Sequence, residues 1–206
     1  MGFYAKYILP RLIDLAMRNK DVTHLRAECV PQAQGKVLEI GIGSGLNLPY
    51  YSSQVQHVYG VDPSSELQRM AARKIPAVPF EVSLFRQSAE GPLPLGDQSV
   101  DTVVMTWSLC SIPNPEAALK EIRRVLKASG RLIFVEHGRS PDAKVMGWQY
   151  RLTPVWKRIA GGCHLDRRID ELIRQAGFQI SDLQTFYLPG PHPMTYTYKG
   201  RAQVSS

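Results

Sequence analysis

Residues 39–47, "EIGIGSGLN", follow a short apolar run and place a carboxylate, Glu39, ahead of three glycines at alternate positions, Gly41, Gly43 and Gly45. Glycine enters left-handed backbone at no steric cost and lets a ligand approach the main chain closely. At the carboxyl end of a parallel strand, such a turn opening into a helix holds a nucleotide-like molecule. Dinucleotides require G-x-G-x-x-G, and the position of that third glycine is here Leu46. A carboxylate beside the turn would also repel a diphosphate at a helix N-terminus. The pattern E-x-G-x-G-x-G suits a ligand with positive charge and no phosphate, such as the sulfonium and ammonium of S-adenosylmethionine.

Other chemistry-bearing residues are spaced along the chain. Asp62 in "YGVDPS" ends the next apolar run, at the distance from the glycine turn at which an acid takes ribose hydroxyls. The same residue suits a helix N-cap, and the two roles are compatible. His137 closes "RLIFVEH" and is the candidate to touch substrate or assist its deprotonation, against a hydrogen-bonded structural histidine. Cys110 lies just past another apolar run, as a neighbour of the reacting atoms or as a small buried hydrophobe. His164 and Asp166 fall in "GGCHLDR", where Asp166 also reads as a helix cap. Trp107 and Trp148 would shape an apolar pocket or pack in the core.

These residues need a scaffold, and the hydrophobic periodicity supplies one. Strands are expected at 37–40, at 57–62, within "FEVSLFRQSAE", at 100–108 and at 131–137. Helices are expected after the glycine turn, from Ser64 to Lys74, and from Asn114–Pro115 to Ala128 with Gly130 as terminator. A further helix starts at Asp166 and ends at Gly177, and two last strands, 179–188 and 195–203, flank "LPGPHP". Apolar residues at helical spacing also run through residues 3–19, with Pro10 as a break or restart. Strands alternating with helices define a doubly wound α/β fold: a seven-stranded, mostly parallel sheet with an antiparallel last strand.

Composition narrows the setting. The 206 residues form one domain, with residues 1–30 as an N-terminal helical lid and 138–165 as an insertion over the acceptor pocket. The net charge of +7 comes from 25 basic and 18 acidic side chains that are scattered rather than striped, which argues against nucleic acid and leaves a peripheral contact with anionic membrane open. Three cysteines at irregular spacing build neither a disulfide framework nor a metal site, so a reduced, cytoplasmic setting is expected. Neither a signal-peptide pattern nor a membrane-spanning apolar run is present.

Taken in order, the glycine loop, "YGVDPS", "QSAEGPLPLGDQSVD", "PNPEAALKEIRRVLKASGRLIFVEH" and "LIRQAGF" resemble the class I S-adenosylmethionine-dependent methyltransferases from about residue 35 onward. The resemblance implies that Glu39, Gly41, Gly43, Gly45, Leu46 and Asn47 line the methionine and ribose part of the cofactor, and that Asp62, beside Pro63, takes the ribose. Ser88, Ala89 and Glu90 match the adenine-contact loop, with Ser88 where the family usually has aspartate, and Thr106 ends the strand beside the site. A narrower likeness, in "WSLCSI", "VEHG" and "GGCHLDR", is to the branch of membrane-associated alkyl-thiol methyltransferases of animals and their bacterial relatives.

What that branch implies is methyl transfer to a small-molecule acceptor, first a thiol. The alternatives are a phospholipid head-group amine, a quinone-like ring, or a module that binds the cofactor without turnover. The pocket residues would be Tyr4, Tyr7, Trp107, Cys110, His137, Trp148 and His164. A thiol needs little base catalysis, because an appreciable fraction is already thiolate near neutral pH.

Overall fold

The computed structural model describes residues 7–205. Its helices are α1 (Leu9–Ala16), α2 (Lys20–Cys29), α3 (Ser65–Ala72), α4 (Pro115–Val125), α5 (Ala143–Ile159) and α6 (Ile169–Gln175). Its strands are β1 (Gly35–Ile40), β2 (Val55–Val61), β3 (Glu81–Phe85), β4 (Val100–Thr106), β5 (Leu126–His137), β6 (Phe178–Tyr187) and β7 (Tyr196–Val204). They form one seven-stranded sheet in the order β3-β2-β1-β4-β5-β7-β6. The pairs from β3 to β5 are parallel, whereas β7 runs antiparallel to both β5 and β6. Strand order reverses between β1 and β4, which opens a crevice at their carboxyl ends.

The central strands are buried on both faces, and Val37, Leu38, Val103, Val104 and Met105 have no exposed surface. That explains their continuous apolar runs in place of alternation. Helix starts follow local chemistry: Ser64 accepts from Leu67 N (3.3 Å), Asn19 from Val22 N (2.9 Å) and Asn114 from Ala117 N (3.0 Å).

Several expectations are corrected. No α-helix follows the glycine turn; a single 3-10 turn, Leu48–Tyr50, leads to β2. Pro49 has no N–H to give, and "YYSS" offers no apolar stripe for a helix to bury. Gly130 does not end α4; the strand begins at Leu126, and a Cβ at Gly130 would fall 2.5 Å from Leu126 Cδ1. Asp166 caps nothing: Arg168 occupies the N-cap of α6 without a side-chain bond, while Asp166 lies 3.8 Å from His164. Gly177 does end α6, at φ +82°.

The insertion is largely α5, whose cap Asp142 accepts from Lys144 N and Val145 N (2.8 and 3.0 Å). Trp148, Tyr150, Val155 and Ile159 on it are exposed, and Gly147 and Pro154 interrupt its sequence pattern, so periodicity did not announce it. Pro10 begins rather than breaks a helix, lying in the first turn of α1.

Candidate active site

The three glycines have φ of +70°, +55° and +72°, so the turn depends on left-handed backbone. Their surroundings differ. A Cβ at Gly41 would meet Ser108 Cβ at 2.6 Å, and one at Gly45 would meet Leu48 Cδ1 at 2.9 Å, so these two are packed against protein. At Gly43 the nearest atom is Gly41 O at 3.8 Å. The middle glycine therefore faces open space, and its N–H donates to Asp62 Oδ2 (3.1 Å). Ser64 N donates to the other oxygen of Asp62 (2.8 Å). Burial raises the Asp62 carboxyl above its usual range, and these two backbone donors pull the other way.

Beneath the loop lies a buried polar network. Glu39 accepts from Tyr51 OH (2.8 Å) and from Asn47 Nδ2 (2.9 Å), and Asn47 Nδ2 also reaches Thr106 Oγ1 (3.0 Å). Arg26 Nε donates to Asn47 Oδ1 (3.0 Å), with its guanidinium 5.2 Å from the Trp107 ring centre. Burial pushes the Glu39 carboxyl up to about 7, against the hydrogen bonds and the Arg26 charge. Arg26 and Tyr51 were not among the expected site residues. For Arg26 the signal was present: it occupies a stripe otherwise formed by Val22, Leu25 and Cys29 on α2.

α1 is tied to the same loop. Asp14, 8% exposed, accepts from the Ser44 hydroxyl and pairs with Arg18 (2.8 Å), while Lys74 Nζ donates to Ser44 O (2.7 Å). Leu46 is partly buried and Pro63 is exposed. In the expected adenine loop Ala89 is buried, and the Ser88 hydroxyl donates to Glu90 Oε2 (2.6 Å). The other Glu90 oxygen accepts from Asn114 N (2.6 Å), so Glu90 fixes the loop to the start of α4.

Across β4, a second buried acid organises the other half. Glu136 accepts from the main-chain N–H of Ser108, Leu109 and Cys110 (2.9, 2.9 and 3.1 Å), and burial pushes it up to about 7. It holds the turn that leaves β4, where Trp107 has the unusual φ of +53° for a residue with a side chain. Glu136 was not anticipated, although an acid inside "LIFVEH" was its sequence signal.

His137 is 6% exposed, with Nδ1 3.4 Å from Cys163 Sγ and Nε2 buried without a hydrogen-bond partner among the described residues. Cys110 is 2% exposed, with its thiol 3.6 Å from Ser111 Oγ and within electrostatic reach of Cys163. His164 N donates to Cys110 O (2.9 Å), which brings the insertion back to β4. Trp107, Cys110, His137 and His164 thus gather at the carboxyl ends of β4 and β5. Trp148 is 54% exposed on α5, outside the core, with the Arg151 guanidinium 5.6 Å from its ring centre. Tyr7 is at the surface just before α1, and Tyr4 lies outside the described residues. Among the described residues, no cluster fit to hold a metal ion occurs.

The donor set fits a cationic nucleoside: a carboxylate under the turn, an acid at the ribose position, and main chain open at Gly43.

A methyltransferase-domain family matches residues 38–134. The chain is 30% identical to the human thiol S-methyltransferase TMT1A over 82% of its own length and 72% of that protein. It is 35% identical to the rat thiol S-methyltransferase TMT1B over 75% of its length, and spans 64% of that relative. A phosphatidylethanolamine N-methyltransferase of Cereibacter sphaeroides is 35% identical over 58% of the chain and 57% of that protein. Among solved structures, a SAM-dependent methyltransferase of Aquifex aeolicus superposes at TM-score 0.67 with 18% identity, covering 95% of this chain and 98% of that one. The [4+2]-cyclase SpnF superposes at 0.70 with 21% identity, covering 90% and 80%, so the fold by itself does not dictate the reaction. The chain belongs to the class I S-adenosylmethionine-dependent methyltransferases. Two of these relatives, matched over 75% and 82% of the chain, are named thiol S-methyltransferases.

Proposed function

We propose that the chain transfers a methyl group from S-adenosylmethionine to the thiol of a small apolar acceptor taken up at an anionic membrane surface. The observation that carries the cofactor half is the turn itself, open at Gly43 and hydrogen-bonded there to Asp62. When bound, the cofactor supplies an electrophilic methyl on a sulfonium, and the reaction is a direct displacement. Glu39 offers a buried acid on the sulfonium side of the turn, charged as pH rises through about 7, and Asp62 offers a free lone pair to the ribose. Ser88 and Ala89 are positioned by Glu90 to border the adenine. The chain then need only exclude water and align the nucleophile.

The thiol half is supported by likeness to relatives bearing that activity in their names, and by the absence of a strong base requirement for thiols. His137 Nε2, buried and unpartnered, is available to take a proton or to position the acceptor.

The membrane half rests on an uneven surface. Every exposed large hydrophobic residue among the described ones lies in or just before α1 or on α5, including Leu12 and Leu15 on the first, and Trp148, Val155 and Ile159 on the second. The segment just after α5 meets α1, since a Cβ at Gly161 would touch Ile13 at 2.9 Å. Arg151 and Lys157 interleave with the apolar residues of α5, and Arg11 and Arg18, paired with Glu66 and Asp14, with those of α1, which supports an anionic lipid surface. No helix of the described residues is long and apolar enough to cross a membrane.

The same surface favours one rival, methylation of a phospholipid amine. A methyl-donor consumption assay separates them: alkyl thiols in anionic vesicles should be methylated, and turnover on a head-group amine with inert thiols would replace this reading with its rival.

A further inference from the structure

Cys110 and Cys163 come from segments far apart in sequence, yet His164 N donates to Cys110 O (2.9 Å), which brings Cys163, one residue before it, to Cys110, and each thiol perturbs the other. Gly162, at φ +90°, lets this approach occur; a Cβ there would lie 2.9 Å from Ser111 O. Cys163 is partly exposed and has His137 Nδ1 at 3.4 Å, whereas Cys110 is buried behind it. Nothing in methyl transfer uses this pair. A thiol on a half-buried residue beside an imidazole, with a second cysteine next to it, has the layout of an attacking and a resolving thiol.

We propose that Cys163 and Cys110 form a thiol–disulfide exchange site that captures low-molecular-weight disulfides at the acceptor end of the sheet. The Cys163 thiolate attacks one sulfur of R–S–S–R. A Cys163–S–S–R bond forms, the original S–S bond breaks, and R–S⁻ leaves with the displaced electron pair. Cys110 then attacks the Cys163 sulfur, its proton passing to the second departing R–S⁻. The small disulfide is reduced to two thiols, and the dithiol is oxidised to a Cys110–Cys163 bridge. Excess small thiol returns the pair by the reverse exchange.

The charges around the pair are consistent with that division of labour. The neighbouring Cys110 and His137 hold the Cys163 thiol below the ordinary range, whereas Cys163 and burial hold Cys110 well above it. The third cysteine is an internal control. Cys29 is 4% exposed, and burial pushes its thiol up to about 11. One consequence, the release of acceptor thiol beside the methyl donor, rests on the thiol reading above; the exchange itself does not.

The test uses reduced full-length protein, hydroxyethyl disulfide and intact-mass spectrometry with peptide mapping, and no methyl donor. Wild type should lose two hydrogens, form the Cys110–Cys163 bridge and release two small thiols per chain. Cys110→Ser should stop at a mixed disulfide on Cys163. Cys163→Ser, and Cys163→Ala as a check on packing, should react about tenfold more slowly or less, with unchanged melting temperature. The proposal is overturned if Cys29 reacts first, if wild type carries separate adducts on both cysteines, or if the Cys163 variants react as fast as wild type. Failure of thiol methylation would leave these masses unchanged, so the two readings fail separately.

Discussion

The two sides of β4 solve one problem with different partners. On one side Glu39 supports the glycine turn through side-chain donors, Tyr51 and Asn47. On the other, Glu136 holds the turn after β4 through three main-chain N–H groups. Both acids are buried and both are pushed up to about 7. Side-chain donors can turn toward a ligand, whereas backbone donors cannot leave without unfolding the turn. On the proposed reading, Glu39 is the acid that would respond to a cofactor and Glu136 the acid that maintains the turn after β4.

The sharpest break of that contrast is Glu136→Ala. Three buried N–H groups would lose their acceptor, and urea unfolding should show a loss of about 3 kcal/mol or more. Glu39→Gln retains polar partners for Tyr51 and Asn47 and should change stability less at low pH. Its effect is on pH dependence. The Glu39 carboxyl rises from 4.5 to about 7 on folding, so its stabilising protonation is complete below 4.5 and lost as pH climbs through about 7. Wild type should therefore lose up to about 3 kcal/mol relative to the Gln variant across that window. Equal slopes in the two proteins would show that Glu39 is ionised throughout.

The glycines give a finer division. Gly41→Ala should destabilise the fold by about 2 kcal/mol, through the Ser108 contact and a positive φ. Gly43→Ala should cost less, about 1 kcal/mol of backbone strain, yet weaken cofactor binding measured by calorimetry, because its side chain enters the open space. The smallest effect concerns the membrane surface. Leu15→Ser with Val155→Ser should lower binding to anionic vesicles about threefold to tenfold with no change in melting temperature, since each removes an exposed apolar contact. Unchanged co-sedimentation would remove the lipid surface from the account.

How much of this could be read from residues alone varies with the kind of signal. The sheet was legible, because strands buried on both faces write continuous apolar runs, and so was the glycine turn, because left-handed backbone demands that residue. α5 was not, because its apolar residues are split between exposed and half-buried positions and proline and glycine interrupt it. Glu136 and Arg26 hid in apolar contexts, where a single charged residue identifies itself only once its partners, distant in sequence, are known. The Cys110–Cys163 approach depends on the path of the insertion, and no local spacing encodes it. Asp166 misled because a capping residue type two positions early has the same composition as a true cap.

The central claim is that the glycine turn and Asp62 together receive S-adenosylmethionine. Calorimetric titration of that cofactor into wild type and Asp62→Ala tests it most directly. One-to-one binding, weakened about tenfold to a hundredfold in the folded variant, is the predicted result. Identical affinity in the two proteins, or displacement of the cofactor by a dinucleotide, would contradict it.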